Sequence, residues 1–100
     1  MIVKFRTKRL EKCYLDVRLA YREFGKEVGT RFVRRIALLR SFVSLNDSNA
    51  LSGLRCHQLK GERAGQWAIN LDRFNRLIFT LVDGSLEVIC IEEVSKHYGD

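Results

Sequence analysis

Two segments of alternating polarity flank the dipeptide Asp83-Gly84, and this arrangement constrains the fold more than any other feature of the chain. Residues 76–82 and 85–92 have the period of two that is typical of strands, and Asp-Gly suits the positive φ angles of a two-residue type I′ turn. The sequence therefore predicts a β-hairpin in which Val82 pairs with Ser85. That register places three apolar pairs on the core face: Leu81 with Leu86, Phe79 with Val88, and Leu77 with Cys90.

The opposite face of the predicted hairpin is of mixed polarity and suits a shallow groove. It carries Arg76, Ile78, Thr80, Glu87, Ile89 and Ile91. A further strand is predicted over residues 66–71, where Trp67, Ile69 and Leu71 alternate with smaller or polar residues. These three side chains reach the core face only if the turn at 72–75 has an odd effective length or a bulge. Asn70 would then lie beside Arg76.

The first half of the chain has the pattern of a strand followed by two amphipathic helices. Residues 1–6 alternate as a strand, and Thr7 is placed to cap a helix that ends at Gly25, with a break near Asp16 left open. A second helix is predicted over residues 26–43, with Val28, Phe32, Ile36, Leu39 and Val43 on one stripe. The predicted fold is α+β: an N-terminal strand, a two-helix hairpin and an antiparallel sheet with the helices on one face.

Length and composition fit one globular domain over residues 1–100, because the chain has 100 residues, 46% of them hydrophobic and 30% charged. An apolar run of about 18 residues, the length that spans a membrane, is missing, and so is a secretory leader pattern. We therefore expect a cytoplasmic protein without a membrane partner. Cys13, Cys56 and Cys90 are odd in number and lack CxxC spacing, so we expect reduced thiols and neither a metal site nor a cofactor.

Positive charge is concentrated in the first half of the chain. Residues 1–50 contain 12 Lys and Arg against 5 Asp and Glu, and the net charge of the whole chain is +6. Clustered Lys and Arg favour an anionic partner, either a nucleic acid or an acidic protein segment. The arginines of the second helix, Arg31, Arg34, Arg35 and Arg40, are also what a solvated helix face requires.

The segment CHQLKGERAGQWAIN, residues 56–70, gathers His57, Lys60 and Arg63 around a glycine turn that leads toward the polar face carrying Arg76. RNA can be cleaved by its own 2′-hydroxyl when a proton acceptor, fixed positive charge and a proton donor are supplied. Histidine is a natural proton shuttle, and Lys and Arg supply the charge. Lys96, His97 and Tyr98 offer a second such set near the end of the chain.

Each of these residues also has an ordinary structural interpretation. His57 can satisfy a turn, Arg76 can pair with Glu92 or Glu93 across the hairpin, and Trp67 with Phe79 suits the core. Taken individually, none of these features is specific for catalysis.

In combination, the segment HxLKGxRAGQWxI, the RLIF strand and the tail ending in HY resemble the RelE/ParE-like toxin superfamily, and within it the HigB-type branch. The resemblance covers the whole chain in element order, and its specific part is residues 56–79 and the tail. It implies a toxin of a toxin–antitoxin pair that cleaves mRNA in the ribosomal A site. The implied partners are the ribosome, mRNA and a HigA-like antitoxin in a hetero-oligomeric complex.

The resemblance also implies roles for individual residues. His57 and Lys60 match the His and Lys of the branch's HxLKG segment, and Arg76 matches the Arg at the start of its sheet strand. The tail departs from the Asp-Tyr-His triplet of many relatives, so the general base is either His97 or His57. Tyr98 is expected to stack on a nucleobase or to orient it. The expected catalytic residues are His57, Lys60, Arg76 and His97, and the expected substrate-binding residues are Arg63, Asn70, Lys96 and Tyr98.

Two alternatives from other functional classes follow from the same sequence. The superfamily includes ParE-like toxins that inhibit DNA gyrase and are not nucleases, and a shared fold does not separate the two activities. A non-catalytic RNA-binding module would use the basic helices without the site, and its affinity for RNA would fall with salt.

Overall fold

The computed structural model describes residues 1–50 and 52–96, and these form three α-helices and one five-stranded sheet. The helices are α1 (Lys8–Leu15), α2 (Val17–Phe24) and α3 (Lys26–Ser41). The strands are β1 (Ile2–Phe5), β2 (His57–Gln58), β3 (Gln66–Asn70), β4 (Asn75–Leu81) and β5 (Val88–Lys96). His97 and Tyr98 lie outside the described residues.

Capping side chains set the boundaries of the first two helices. The hydroxyl of Thr7 accepts a hydrogen bond from the Leu10 amide at 3.1 Å, which satisfies a donor that the first turn leaves unpaired. Asp16 has an extended backbone, ends α1 and begins α2, and its carboxylate accepts from the Arg18 amide at 3.0 Å. Gly25, at φ +85°, separates α2 from α3. The stop at Gly25 is therefore confirmed. The break near Asp16, which the sequence left open, divides the first predicted helix into α1 and α2, so three helices take the place of the predicted two.

The second predicted helix ends two residues early. α3 stops at Ser41 because Phe42 has an extended backbone and turns its ring against the core. Val43, placed on the apolar stripe by its spacing, is 80% exposed instead. The other members of that stripe are buried: Val28, Phe32, Ile36 and Leu39.

The helices α2 and α3 approach closely at Gly29. A Cβ atom at this position would lie 2.8 Å from the carbonyl carbon and oxygen of Ala20, a distance that real side chains do not adopt. Gly29 is therefore required by packing between two backbones, and it brings the two helices together over one face of the sheet.

The strand order in the sheet is β1-β5-β4-β3-β2. β1 pairs with β5 in parallel, and the other neighbours are antiparallel, so the sheet is mixed rather than purely antiparallel. The helices cover one face of it. The core between them contains Cys13, Ala20, Phe32, Ile36 and Leu39 from the helices and Ile69, Leu71, Leu77, Phe79, Ile89 and Ile91 from the sheet side.

The predicted β4–β5 turn is confirmed, but the predicted register is wrong. Asp83 and Gly84 both have positive φ, 53° and 73°, and the Ser85 amide donates to the Val82 carbonyl at 3.0 Å. Beyond the turn, however, Leu81 pairs with Ile89. Leu86 and Glu87 leave β4, because their carbonyls accept from the amides of Leu45 at 2.7 Å and Ile2 at 2.9 Å.

This shift of three residues exchanges the two faces of β5. Ile89 and Ile91, predicted on the mixed face, are fully buried in the core, whereas Val88 and Cys90 are only partly buried. The observed register is favoured because two isoleucines bury more apolar surface than a valine and a cysteine.

The β3–β4 connection follows the prediction. Ile69 lies opposite Leu77 and Asn70 opposite Arg76, and the Leu71 amide donates to the Asn75 carbonyl at 3.0 Å. The loop between Leu71 and Asn75 is therefore three residues long, an odd number that keeps Ile69 and Leu71 in the core. Asp72 closes it by accepting from the amides of Phe74 at 2.9 Å and Asn75 at 2.7 Å.

Candidate active site on the outer face

The face of the sheet opposite the helices, here called the outer face, carries the residues of interest in rows across the strands. One row contains His57, Ala68, Ile78 and Glu93, each directly opposite the next. The neighbouring row contains Asn70, Arg76 and Ser95. The pairing of Asn70 with Arg76 confirms the predicted arrangement and brings both near the edge strand that carries His57.

An open groove of about 400 Å³ lies at this edge of the sheet. It is lined by Arg55, His57, Gln58, Leu59, Lys60 and Arg76, and we call it the cationic groove. Among the described residues that line it, three are Lys or Arg and none is acidic. The structure therefore brings together three of the four predicted catalytic residues, His57, Lys60 and Arg76.

A glycine turn presents Lys60 to the groove. Lys60 has an extended backbone and precedes a short 3₁₀ turn, Gly61–Arg63, in which Gly61 has a φ of +67°; Gly65 follows at +93°. Such φ angles suit residues without a Cβ atom. The turn leaves Lys60 exposed in the groove, while Arg76 rises from β4 with its Nε shielded from solvent. Two of the groove's cations therefore differ in their exposure: Lys60 is exposed to solvent, and Arg76 is partly buried.

The ring of His57 is oriented by the backbone. Its Nδ1 lies 2.7 Å from the carbonyl oxygen of Arg55. A carbonyl oxygen can only accept, so Nδ1 donates and Nε2 is the nitrogen that remains to exchange protons in the groove. Arg55 itself was not among the predicted residues: it precedes the quoted segment by one position, and nothing in its spacing marks it.

Arg63 lies over the sheet rather than in the cationic groove. Its Nη1 donates to Gln66 Oε1 at 2.9 Å and lies 3.7 Å from Glu93 Oε2. Gln66 is on β3 and Glu93 is on β5, so contacts from one nitrogen to both residues place the guanidinium between these strands, over β4. It lies over the part of the outer face where Ala68 and Ile78 are fully buried.

A β-bulge opposite Ile78 and Phe79 places two carboxylates beside each other on the outer face. Glu93 contacts Arg63, and Glu92 accepts from Arg6 Nε and from the Thr80 hydroxyl, the latter at 2.9 Å. Burial would raise the pKa of Glu92, but the hydrogen bonds from Arg6, Thr80 and Cys90 and the charge of Arg6 lower it below its ordinary value. The outer face is therefore divided: acidic and basic residues neutralise each other over β5, and cations dominate at the β2 edge.

The structure separates Lys96 from the cationic groove. Lys96 lies opposite Asn75, and its neighbour Ser95 is the residue opposite Arg76. Lys96 lines a cleft on the helix side with Glu23, Phe24 and Val28. The rest of the predicted tail set, His97 and Tyr98, falls outside the part of the chain that the structure describes.

One arginine of α3, Arg35, contacts the end of β3. Arg35 Nε donates to the backbone carbonyl of Asn70 at 3.2 Å. Burial lowers the pKa of Arg35, and the positive charges of Arg31 and Arg34 lower it further. Arg34 is exposed, as a solvated helix face requires, whereas Arg31 pairs with Glu27 at 3.0 Å.

Trp67 and Phe79 belong to the core. Their rings stack with centroids 6.2 Å apart on the helix side of the sheet, and Phe79 is fully buried. The structural interpretation of these two aromatics is confirmed.

Within residues 1–50 and 52–96, no cluster of three or more His, Cys, Asp or Glu side chains has a geometry suited to a metal ion. Over the same part of the chain, no helix combines the length and apolar character needed to cross a membrane.

The chemical capacity of the cationic groove follows from its members. Lys60, Arg76 and Arg55 provide positive charge for a phosphate group, and Arg can contact two phosphate oxygens at once. The imidazole of His57 can take or give a proton at Nε2. A groove with these groups suits a phosphodiester better than an apolar ligand.

Comparisons with known proteins identify the fold. Neither a protein-family model nor a curated protein sequence matches the chain. Among solved structures, YafQ from E. coli strain BL21(DE3) matches with a TM-score of 0.61 at 18% identity, covering 95% of this chain and 91% of that one. The YoeB–YefM complex from Staphylococcus aureus matches with a TM-score of 0.59 at 17% identity, covering 98% of both chains.

A third structure, the YoeB/ParE toxin from Agrobacterium tumefaciens, matches with a TM-score of 0.56 at 16% identity, covering 98% of this chain and 100% of that one. At these identities the likeness concerns the fold. It confirms the α+β, RelE-like architecture that the resemblance implies.

Proposed function

We propose that this protein is the toxin of a toxin–antitoxin pair and an endoribonuclease that cleaves mRNA in the ribosomal A site. The observation that carries the proposal is the cationic groove, in which one imidazole and three cations converge with no carboxylate among the described lining residues. The fold shared with the YoeB/ParE toxin and with YafQ supports it.

The proposed reaction is a transesterification within the RNA strand. His57 accepts the proton of a ribose 2′-hydroxyl, whose oxygen attacks the adjacent phosphorus. The bond from phosphorus to the 5′-oxygen of the next nucleotide breaks, and that oxygen takes a proton from the second proton-transfer residue, His97. The products are a 2′,3′-cyclic phosphate and a 5′-hydroxyl, so the reaction consumes no water. The scheme is independent of a metal ion because Lys60 and Arg76 supply the positive charge.

Lys60 and Arg76 stabilise the negative charge of the phosphorane in this scheme, because the charge develops where the two cations already lie. Asn70 contacts the substrate beside Arg76. Arg63 binds the substrate from its position over β4. Lys96 binds RNA at the end of the sheet, from the side that the helices cover. His97 is the second proton-transfer residue or the alternative base, and Tyr98 stacks on a nucleobase.

Within the RelE/ParE-like toxins, we assign the protein to the HigB-type branch, because His57, Lys60 and Arg76 match the sequence pattern of that branch. It predicts a HigA-like antitoxin, a hetero-oligomeric complex and action in the cytoplasm as a single-domain toxin without a cofactor. The complex between YoeB and YefM supports a protein partner, since a protein of the same fold is found in it. Dependence on the ribosome follows from the few positioned groups, because ribosomal RNA would order the substrate.

The test is primer extension on a reporter mRNA in a purified translation system, with wild-type protein, Arg76→Ala, and a reaction without ribosomes. Lys4→Ala is the matched control, because Lys4 is an exposed cation on the outer face, opposite Cys90 on β5 and outside the groove. We expect cleavage with wild type and Lys4→Ala, and a loss of about 10²-fold or more with Arg76→Ala. A single 2′-deoxy nucleotide at the cleavage site should block the reaction.

Other results would contradict the proposal in distinguishable ways. Intact mRNA together with arrested DNA replication in expressing cells would favour a ParE-like inhibitor of gyrase. RNA binding that falls with salt, without cleavage, would favour a non-catalytic RNA-binding module.

A further inference from the structure

The backbone conformation of Arg55 is unusual for its residue type. Arg55 has a φ of +50°, in the left-handed region that residues with a Cβ atom seldom adopt. Among the described residues other than glycine, only Asp83 shares this feature, and Asp83 lies in a turn that requires it. Arg55 lies instead at the entrance to β2, two residues before His57.

This conformation coincides with a specific contact. The carbonyl oxygen of Arg55 lies 2.7 Å from Nδ1 of His57, and the side chains of both residues line the cationic groove. Strained backbone persists only where the surrounding structure maintains it, and it is concentrated at functional sites.

The contact determines which ring nitrogen holds the proton. A carbonyl oxygen has no proton to give, so the neutral imidazole carries its hydrogen on Nδ1 and a lone pair on Nε2. Free histidine favours the opposite tautomer. Nε2 of His57 can accept a proton only when the neutral ring is in this less common form, and the carbonyl of Arg55 favours that form.

We infer that Arg55 is a positioning residue: its left-handed backbone holds His57 in the tautomer whose Nε2 accepts the 2′-hydroxyl proton, while its guanidinium adds positive charge to the groove. This inference rests on the proposed function for the identity of the reaction. The tautomer itself does not depend on RNA cleavage and can be measured without a substrate.

Two variants separate the backbone role from the charge. Arg55→Asn and Arg55→Val have neutral side chains of similar size, so both remove the guanidinium. Asn tolerates the left-handed region, whereas β-branched Val strongly disfavours it. The measurement is the ¹⁵N NMR spectrum of the full chain labelled at histidine, which reports the protonation of each ring nitrogen. The chain has 2 histidines, so one substitution, His97→Gln, assigns the signals.

We expect the Nδ1–H tautomer of His57 in the wild type and in Arg55→Asn, and a shift toward Nε2–H in Arg55→Val. In the ribosome assay both variants lose the contribution of the charge, and Arg55→Val should be slower than Arg55→Asn by about tenfold or more. An Nε2–H tautomer in the wild type would overturn the inference even if Arg55→Val failed to fold. Equal cleavage by the two variants would overturn the positioning role.

The failure of the proposed function would look different. Wild-type protein with the Nδ1–H tautomer and no cleavage of mRNA would contradict the nuclease proposal, and with it the catalytic part of the inference, while leaving the carbonyl contact established.

Discussion

Asn70 and Arg76 lie directly opposite each other on β3 and β4, and the backbone carbonyl of Asn70 accepts from Arg35 on the other side. The amide side chain is thus the neutral neighbour of a half-buried arginine at the edge of the cationic groove. If Arg76 acts through its charge, a negative charge at position 70 should oppose it.

Asn70→Asp should therefore slow mRNA cleavage by about tenfold or more, because a carboxylate a few ångströms from Arg76 offsets its charge by at least about 1.4 kcal/mol. Asn70→Ala removes the amide without adding charge and should cost less. Cleavage rates of the two variants in the purified translation system give the comparison. Equal losses would mean that Asn70 acts through a hydrogen bond and that the charge of Arg76 is not limiting.

The ion pair between Arg63 and Glu93 predicts a gain in RNA affinity when it is broken. Glu93→Gln releases the guanidinium of Arg63 and removes a negative charge from the outer face. We expect binding of a short single-stranded RNA to tighten by roughly 2- to 5-fold at low salt, and the gain to shrink as salt screens the charges.

Glu62→Gln is the matched control for Glu93→Gln, since Glu62 lies exposed on the same turn as Arg63 and the net charge changes equally. Fluorescence anisotropy at several salt concentrations measures both. If the two variants tighten binding equally, the gain reflects net charge and Arg63 has no particular role.

Local features of the fold could be predicted from the sequence because they depend on neighbouring residues. The cap at Thr7, the break at Asp16 and the positive φ angles of Asp83 and Gly84 each follow from the chemistry of one or two side chains. The pairing of Asn70 with Arg76 followed from requiring Ile69 and Leu71 to share the core.

The register of β5 could not be predicted in this way, because it depends on contacts between distant segments. Hydrogen bonds from Leu45 and Ile2 hold Leu86 and Glu87 away from β4. No pattern among neighbouring residues predicts these hydrogen bonds. Arg55 was missed for a similar reason: its importance comes from a backbone angle and a contact with His57. The sequence thus identified His57, Lys60 and Arg76 of the groove but missed Arg55, and it did not show that Arg63 and Lys96 lie outside the groove.

The contacts of Glu92 predict a dependence of stability on pH. Its pKa lies below the ordinary value in the folded state, because the bonds from Arg6, Thr80 and Cys90 outweigh the effect of burial. A lowered folded-state pKa means that the folded protein binds fewer protons than the unfolded chain. The stabilisation is complete above the unfolded value of about 4.3 and is lost as the pH falls through the folded pKa.

Urea unfolding between neutral pH and about pH 3 checks this prediction. Glu92→Gln should lose less stability on acidification than the wild type, and Thr80→Val, which removes one hydrogen bond and keeps the charge, should fall between them. The pKa of Asp72 is also lowered, since its hydrogen bonds outweigh burial, but its contribution is common to all three proteins. A wild-type profile identical to that of Glu92→Gln would contradict the prediction.

Gly29 tests the packing that supports the site from the opposite side of the sheet. Replacing glycine by alanine inside a helix ordinarily gains about 1 kcal/mol in helix propensity. Here the added Cβ would lie 2.8 Å from backbone atoms of Ala20, which no side-chain rotation relieves, so α2 and α3 must separate. We expect Gly29→Ala to lower the free energy of unfolding by about 1–3 kcal/mol, as overpacking does.

Gly53→Ala is the control, because its Cβ has nothing within 4 Å, and it should change stability by less than about 0.5 kcal/mol. A Gly29→Ala protein more stable than the wild type would show that a Cβ atom fits between α2 and α3. Because the cationic groove lies on the outer face, the folded fraction of Gly29→Ala should cleave mRNA at the wild-type rate, which separates loss of fold from loss of the site.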